Sequence, residues 1–270
     1  MRDALSIATA AALAGGRVLT DRRDNMGAIR SKSSLTDFVT EADVASGVAV
    51  VSAILALDPG ARILVEEEEV HGIVGIDKAV LGEGDVWVVD PLDGTTSFIH
   101  GYPTYSVSVA LVRDSQPVAG AVYNVAADEM NAAALGLGAT RDGVALSVAD
   151  AARVQDALVI TGFPYDRGEP LTRQLAVLAA FLRAPVHGMR RDGSAAIDCC
   201  HVAGGRADGF WEYALKPWDI AAGTIIAREA GARVTDVTGR EWSTECPSIL
   251  VANPILHAEM LELITSVGVG

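Results

Sequence analysis

Asp90 and Asp93 stand three residues apart in the string Trp87-Val88-Val89-Asp90-Pro91-Leu92-Asp93-Gly94-Thr95-Thr96-Ser97. The apolar run Trp87–Val89 predicts a buried strand that delivers Asp90 at its end. Pro91 predicts a turn, which brings Asp93 back beside Asp90. Gly94 permits a close approach or an unusual backbone angle, and Thr95, Thr96 and Ser97 suit a helix N-cap. A short helix starting there would aim free N–H groups at one point, which suits a phosphate. Two carboxylates beside such a point repel an anion unless cations intervene. Oxygen ligands alone call for a hard cation, so Mg²⁺ is the expectation. The plainer alternative is an Asp-Pro turn followed by an Asp-Gly turn in a surface loop. It leaves the preceding strand and the run of hydroxyls unexplained.

Other acids fall where they could complete such a site. Asp219, in Trp218-Asp219-Ile220-Ala221-Ala222-Gly223, follows Pro217 at a predicted helix start, where simple capping is the competing role. Glu66 and Glu67 follow the strand pattern Ile63–Val65 and open a run of four glutamates, at least two of which suit a solvated face. Asp43 lies three residues after Thr40, a capping-box spacing, in a stretch that begins at Lys32 and includes Asp37.

The elements that must position these residues divide into two halves, 1–148 and 149–270. In the first half, residues 4–20 and the segment from Thr40 to about Leu57 predict helices, the second stopped at Asp58-Pro59-Gly60. Tyr105–Val112, Pro117–Tyr123 and Glu129–Ala134 predict antiparallel strands, and Asp142-Gly143 a hairpin turn. The second half alternates: a strand at Ala157–Ile160, a helix from Glu169 to about Arg183, and a helix at Ser194–Ala203. A strand at Gly209–Tyr213, a helix at Trp218–Ala230 and strands at Arg233–Asp236 and Ile249–Ala252 follow. A helix at Pro254–Ser266 closes the chain. Two helices against a largely antiparallel sheet, then an α/β layer, define an α/β class. Gly15-Gly16 and Gly204-Gly205 read as helix ends. Trp87, Trp211 and Trp218 read as core anchors, and Trp242 as either core or partly exposed.

Composition narrows the function. The chain has 270 residues, half of them apolar and 5% aromatic, which predicts a core of small and branched aliphatics. A net charge of −14 argues against a nucleic-acid backbone as the main partner. An acidic chain still handles an anionic substrate when its acids hold cations and the cations hold the anion. No long uncharged apolar run predicts a spanning helix, and the N-terminus reads as a helix opening, so the cytosol is the expected compartment. Three cysteines without metal-type spacing predict buried free thiols. The five histidines are scattered and read as structural or surface residues.

Taken together, these strings resemble the inositol monophosphatase family, especially its bacterial branch. The resemblance rests on Asp90–Thr96, on Trp218–Gly223 and on the stretch Lys32–Asp43. Gly193-Ser194-Ala195-Ala196, Glu212 and Thr161-Gly162-Phe163-Pro164 also match. It covers about residues 5–265 and implies a layered α/β/α/β/α sandwich. It implies a Mg²⁺-dependent phosphatase, with two or three ions per subunit, acting on inositol 1-phosphate or a similar small phosphate monoester. Glu66, Asp90, the Leu92 carbonyl and Thr95 would surround one ion, and Asp90, Asp93 and Asp219 a second. Where the family usually has Gly-Glu-Glu, this chain has Val65-Glu66-Glu67, so the ligand maps to Glu66, with Glu67 as the alternative. Glu66 and Thr95 would orient a water and Asp43 would support them, with Lys32 as a further support. Gly94 and Thr95 amides would bind the phosphate. Glu212, the Ala195 amide, Asp93 and Asp219 would meet substrate hydroxyls. A homodimer and sensitivity to lithium are further implications.

Three rivals stand beside this expectation. Haloacid-dehalogenase-type phosphatases use Asp-x-Asp, which sets both side chains on one face of an extended segment; Asp-Pro-Leu-Asp does not. Within the superfamily, histidinol phosphate, 3′-phosphoadenosine 5′-phosphate or fructose 1,6-bisphosphate are alternative substrates. A bisphosphate wants a basic cluster, for which Arg190 and Arg191 are the nearby pair, although a surface role suits them better. The third rival is a metal-dependent binding or regulatory protein without turnover.

Overall fold

A computed structural model describes residues 1–31 and 38–268. Lys32 and Asp37 lie outside the described residues. The chain runs through helix α1 (Arg2–Arg22), a short hairpin of β1 (Ile29–Ser31) and β2 (Phe38–Thr40), and helix α2 (Glu41–Leu57). Then come β3 (Ile63–Val65), α3 (Glu68–Val74), β4 (Val86–Asp93) and the one-and-a-half-turn α4 (Thr95–His100). Strands β5 (Ser106–Arg113), β6 (Gln116–Asn124), β7 (Glu129–Ala134), β8 (Ala139–Arg141) and β9 (Val144–Ala145) complete the first sheet. The remainder is β10 (Leu158–Thr161), α5 (Glu169–Arg183), β11 (Gly188–Arg190), α6 (Ala195–Ala203) and β12 (Gly209–Tyr213), followed by α7 (Pro217–Glu229), β13 (Arg233–Thr235), β14 (Ser248–Ala252) and α8 (Pro254–Ser266).

The first sheet has strand order β3-β4-β5-β6-β7-β8-β9, antiparallel except for the β3–β4 pair. The second has order β11-β10-β12-β14-β13 and mixes parallel and antiparallel pairs. Alternate residues of each strand feed different layers. On β4, Trp87 and Val89 pack with α1 and α2, while Val86 and Val88 pack with α6 and α7. On β12, Phe210 faces α6 and α7, while Trp211 faces α5 and α8. The order of layers is therefore α1–α2, first sheet, α6–α7, second sheet, α5–α8, an α/β/α/β/α sandwich. Among the described residues no helix is long and apolar enough to cross a membrane.

Helix α7 lies between two sheets, which is why Ile220 to Ala227 are buried all round. Its Gly223 meets α6 so closely that a Cβ would fall 2.6 Å from Cys199 Cβ. Small residues in this motif thus let two helices fit between two sheets.

Several local readings change. Gly15 and Gly16 do not end a helix; they sit inside α1, buried. A Cβ on Gly15 would lie 2.6 Å from Val50, and one on Gly16 would overlap the Tyr123 ring, so both mark close approach. Trp242 is fully buried, whereas Trp218 is only half-buried because it stands at the exposed mouth of α7. Cys199 and Cys200 are buried, but Cys246 is partly exposed in the loop before β14. The hairpin β1–β2, helix α3 and strand β11 had no sequence expectation, being too short to show a period.

Candidate active site

Pro91 does not make a turn. It sits inside β4, where the register against β5 jumps from Asp90–Ser108 to Asp93–Ser106. Three steps on β4 oppose two on β5, a bulge with one extra residue. Residues three apart on a regular strand point to opposite faces. The bulge removes that mismatch, so Asp90 and Asp93 line the same cavity. Proline suits this place because it has no N–H to offer the ladder. Asp90 Oδ1 accepts the Leu92 N–H at 3.0 Å, which closes the bulge locally.

Gly94 is the N-cap of α4, at φ +94°. A side chain there would meet the Thr104 carbonyl oxygen at 2.9 Å as well as suffer the left-handed backbone. The expected hydroxyl cap is absent for the same reason: Thr95 is the first helical residue and its hydroxyl points elsewhere. Thr95 Oγ1 lies 3.0 Å from Asp43 Oδ1 and 3.1 Å from the Leu92 carbonyl oxygen, both acceptors for its single proton. Asp43 Oδ2 accepts the Thr40 N–H at 2.8 Å and the Thr40 hydroxyl at 2.6 Å. One carboxylate thus closes the capping box of α2 with one oxygen and receives Thr95 with the other.

Asp93 is held from the second half of the chain. Its Oδ2 accepts the Ser194 hydroxyl at 2.6 Å and the Ala196 N–H at 2.8 Å. Ser194 is the N-cap of α6, so the start of that helix faces a carboxylate. The Ala195 amide adds to the same stabilisation of Asp93, so its expected role toward substrate hydroxyls is in competition with this contact. Asp219 is the third residue of α7, and its Oδ2 accepts the Lys216 N–H at 2.7 Å. Glu66 extends from the end of β3, whose backbone continues the pairing through Glu66 N–H to the Val89 carbonyl at 3.1 Å. Glu66 lines the cavity of Asp90, Asp93 and Asp219, whereas Glu67 faces a neighbouring cleft and is not on that wall.

The cavity has a volume of about 90 Å³. Burial pushes the Asp93 carboxyl up to about 6, opposed by its donors Ser194 and Ala196 and helped by repulsion from Glu66. Asp219 is raised well above the ordinary range, first by burial and then by Glu66 and Asp93. Among the described residues no three acids close on a point as a finished metal cage. They line the walls of one cavity instead, where the Glu66 charge adds to the rise of Asp93 and Asp219. A hard divalent ion among these oxygens would reverse that electrostatic cost, so the donor set fits Mg²⁺.

Glu212, on β12, forms another wall. Burial pushes it up to about 8, Arg191 draws it down and Asp93 pushes it up. Gly162 explains its place: a Cβ at 162 would overlap both Glu212 carboxylate oxygens. The Gly162 backbone is fixed in turn by Gln174, fully buried on α5, whose Nε2 donates to Thr161 Oγ1 at 2.6 Å and to the Gly162 carbonyl at 2.5 Å. Gln174 escaped sequence reasoning, although a polar residue on the apolar face of α5 was its available signal. Arg191 is exposed, as expected, and also lines the cavity, while Arg190 is the exposed last residue of the otherwise half-buried β11.

The geometry agrees with comparisons to known proteins. The family model described as "Inositol monophosphatase family" matches residues 1–268. An inositol-1-monophosphatase from Synechocystis is 37% identical, covering 97% of this chain and 88% of that protein. The Nus factor SuhB of Salmonella typhimurium is 35% identical, covering 97% and 95%. A solved inositol monophosphatase from Anabaena superposes with a TM-score of 0.85 at 35% identity, covering 97% of this chain and 95% of the other. A bulged strand, three helix starts and a strand end meet at one acidic cavity, and the match of the family model over residues 1–268 places this protein in the inositol monophosphatase family.

Proposed function

We propose that this chain is a Mg²⁺-dependent phosphomonoesterase that hydrolyses inositol 1-phosphate, or a similar polyol phosphate, through an activated water. The observation that carries the reading is the meeting of Glu66, Asp90, Asp93 and Asp219 at one cavity with the Thr95–Asp43 pair behind it. Glu66, Asp90, the Leu92 carbonyl and Thr95 would hold one ion, and Asp90, Asp93 and Asp219 another. Two or three Mg²⁺ ions would supply charge neutralisation, a more acidic water and stabilisation of the departing alkoxide.

The chain's own residues do the rest. Thr95 Oγ1 accepts a proton from the attacking water as it donates its own to Asp43 Oδ1. Glu66 orients the same water. Gly94 and Thr95 N–H groups hold phosphate oxygens at the start of α4. Glu212, together with Asp93 and Asp219, accepts hydrogen bonds from substrate hydroxyls, which favours a polyol as the leaving group. A homodimer, a cytosolic location and inhibition by Li⁺ in place of a weakly held Mg²⁺ belong to the same reading.

Phosphate release tests it, using inositol 1-phosphate, histidinol phosphate, 3′-phosphoadenosine 5′-phosphate and fructose 1,6-bisphosphate, each with Mg²⁺ and with EDTA. Mg²⁺-dependent preference for inositol 1-phosphate supports the full reading. Preference for another ester keeps the chemistry and replaces the substrate. Release that persists in EDTA sinks the metal assignment.

The name of the Salmonella relative, a Nus factor, favours a second reading: a regulatory role carried by association with other macromolecules. A net charge of −14 directs such a role toward protein partners rather than bare nucleic acid. Tight partner binding by a protein inactive on every ester would favour it.

A further inference from the structure

Among the described residues five acids and one base line the cavity: Glu66, Asp90, Asp93, Glu212 and Asp219 against Arg191. Arg191 lies on the loop from β11 to α6 and is exposed. Its guanidinium has a defined seat. Gly193 turns the loop at φ +98°, and Arg191 Nη1 lies 2.6 Å from where a Cβ on Gly193 would stand. The missing side chain at 193 leaves the space in which the guanidinium lies against the backbone. Among the described residues Arg191 makes no hydrogen bond or ion pair, whereas Arg190 spends an N–H on the Met189 carbonyl. Its charge is felt across the cavity by Glu212, and also by Asp198, buried within α6.

A guanidinium carries five N–H donors in a fork that matches a phosphate or carboxylate. With those donors unspent among the described residues, and every other charged side chain that the described wall presents being an acid, Arg191 marks a place where a second anion would not be repelled. We propose that Arg191 is a specificity-determining residue that receives a second anionic group, a phosphate or carboxylate, on the organic part of the ester. The substrate class then includes polyol phosphates bearing a second negative charge. This rests on the phosphatase reading above. The competing role is that Arg191 serves only to moderate the burial-driven rise of Glu212, which would affect all hydroxyl-bearing esters alike.

Two matched pairs separate these roles: fructose 1-phosphate with fructose 1,6-bisphosphate, and glucose 6-phosphate with 6-phosphogluconate. kcat/KM is measured with Mg²⁺ for the wild-type protein, Arg191→Ala and Arg191→Glu, at low and high salt. The ratio of doubly to singly charged ester should fall about tenfold in Arg191→Ala, about 1.4 kcal/mol, and further in Arg191→Glu. The wild-type ratio should also fall with salt, since the arginine is exposed and screened. A response in the first pair alone assigns a phosphate, and one in the second alone a carboxylate. Ratios that stay constant across the variants in both pairs, with the singly charged esters still turned over, overturn the role of Arg191 and leave the phosphatase reading standing. No Mg²⁺-dependent release from any ester overturns both.

Discussion

Replacing Asp43 by Asn separates a capping role from a chemical one, because the two oxygens have different partners. Among the described residues, Thr40 donates to Oδ2 at 2.8 and 2.6 Å and Thr95 to Oδ1 at 3.0 Å. An asparagine keeps a single oxygen, which is most stabilising where two donors meet. The amide nitrogen therefore turns toward Thr95, where it can donate but not accept. Thr95 then gives its proton to the Leu92 carbonyl, 3.1 Å away. The cap of α2 survives with a neutral acceptor, so stability should fall by about 1 kcal/mol, or about 2–4 °C in Tm for a chain of this size. The route by which Thr95 passes a proton to a carboxylate is lost. Removal of general-base assistance should lower kcat/KM by about 10²–10⁴, equivalent to about 3–5 kcal/mol of barrier. Phosphate release with Mg²⁺ and thermal unfolding are measured on the same preparation. Near-wild-type kcat/KM alongside the small drop in Tm would show Asp43 to be a helix cap and nothing more, and the proton route would be wrong.

Gly162→Ala should displace Glu212, since the new Cβ overlaps its carboxylate. KM for a polyol phosphate should rise about tenfold or more, the loss of a charge-assisted hydrogen bond, and an unchanged KM would remove Glu212 from substrate binding. The same carboxyl sets a pH dependence. Its folded value of about 8 lies above the ordinary 4.5, so the folded state binds the proton more tightly, and stability falls as pH rises from about 4.5 through about 8. Without divalent cations, Glu212→Gln should therefore gain Tm relative to wild type across that window; parallel curves would contradict the buried carboxyl. Gly16→Ala sets two effects against each other. Helix propensity favours alanine by about 1 kcal/mol, but overlap with the Tyr123 ring costs about 1–3 kcal/mol or more. Urea unfolding should show net destabilisation, and a stabilised variant would mean that Tyr123 yields freely.

The amino-acid sequence by itself determined the local features of this protein. Periodicity and turn residues are short-range, so the helices ending near Leu57, Arg183 and Ser266 and the strands carrying Asp90 and Glu212 were legible before any fold was known. The Asp90–Thr96 string reads as a candidate cation and anion site, because its carboxylates and its predicted anion-binding helix start are incompatible without a cation. Tertiary structure alone decided what those residues meet. Asp43 and Thr95 lie 52 positions apart and Asp93 and Ser194 lie 101 apart, and no local pattern encodes such pairings. The choice between Glu66 and Glu67 depends on which way the chain leaves β3, and the bulge at Pro91 depends on register with β5. Gly15, Gly16 and Gly162 look alike in sequence, yet each answers to a different side chain arriving from another layer. Arg191 was equally ambiguous until the turn at Gly193 laid it on the cavity wall. Which faces come together is set by packing across the whole chain, and that is why the candidate groups were readable in pieces while their arrangement was not.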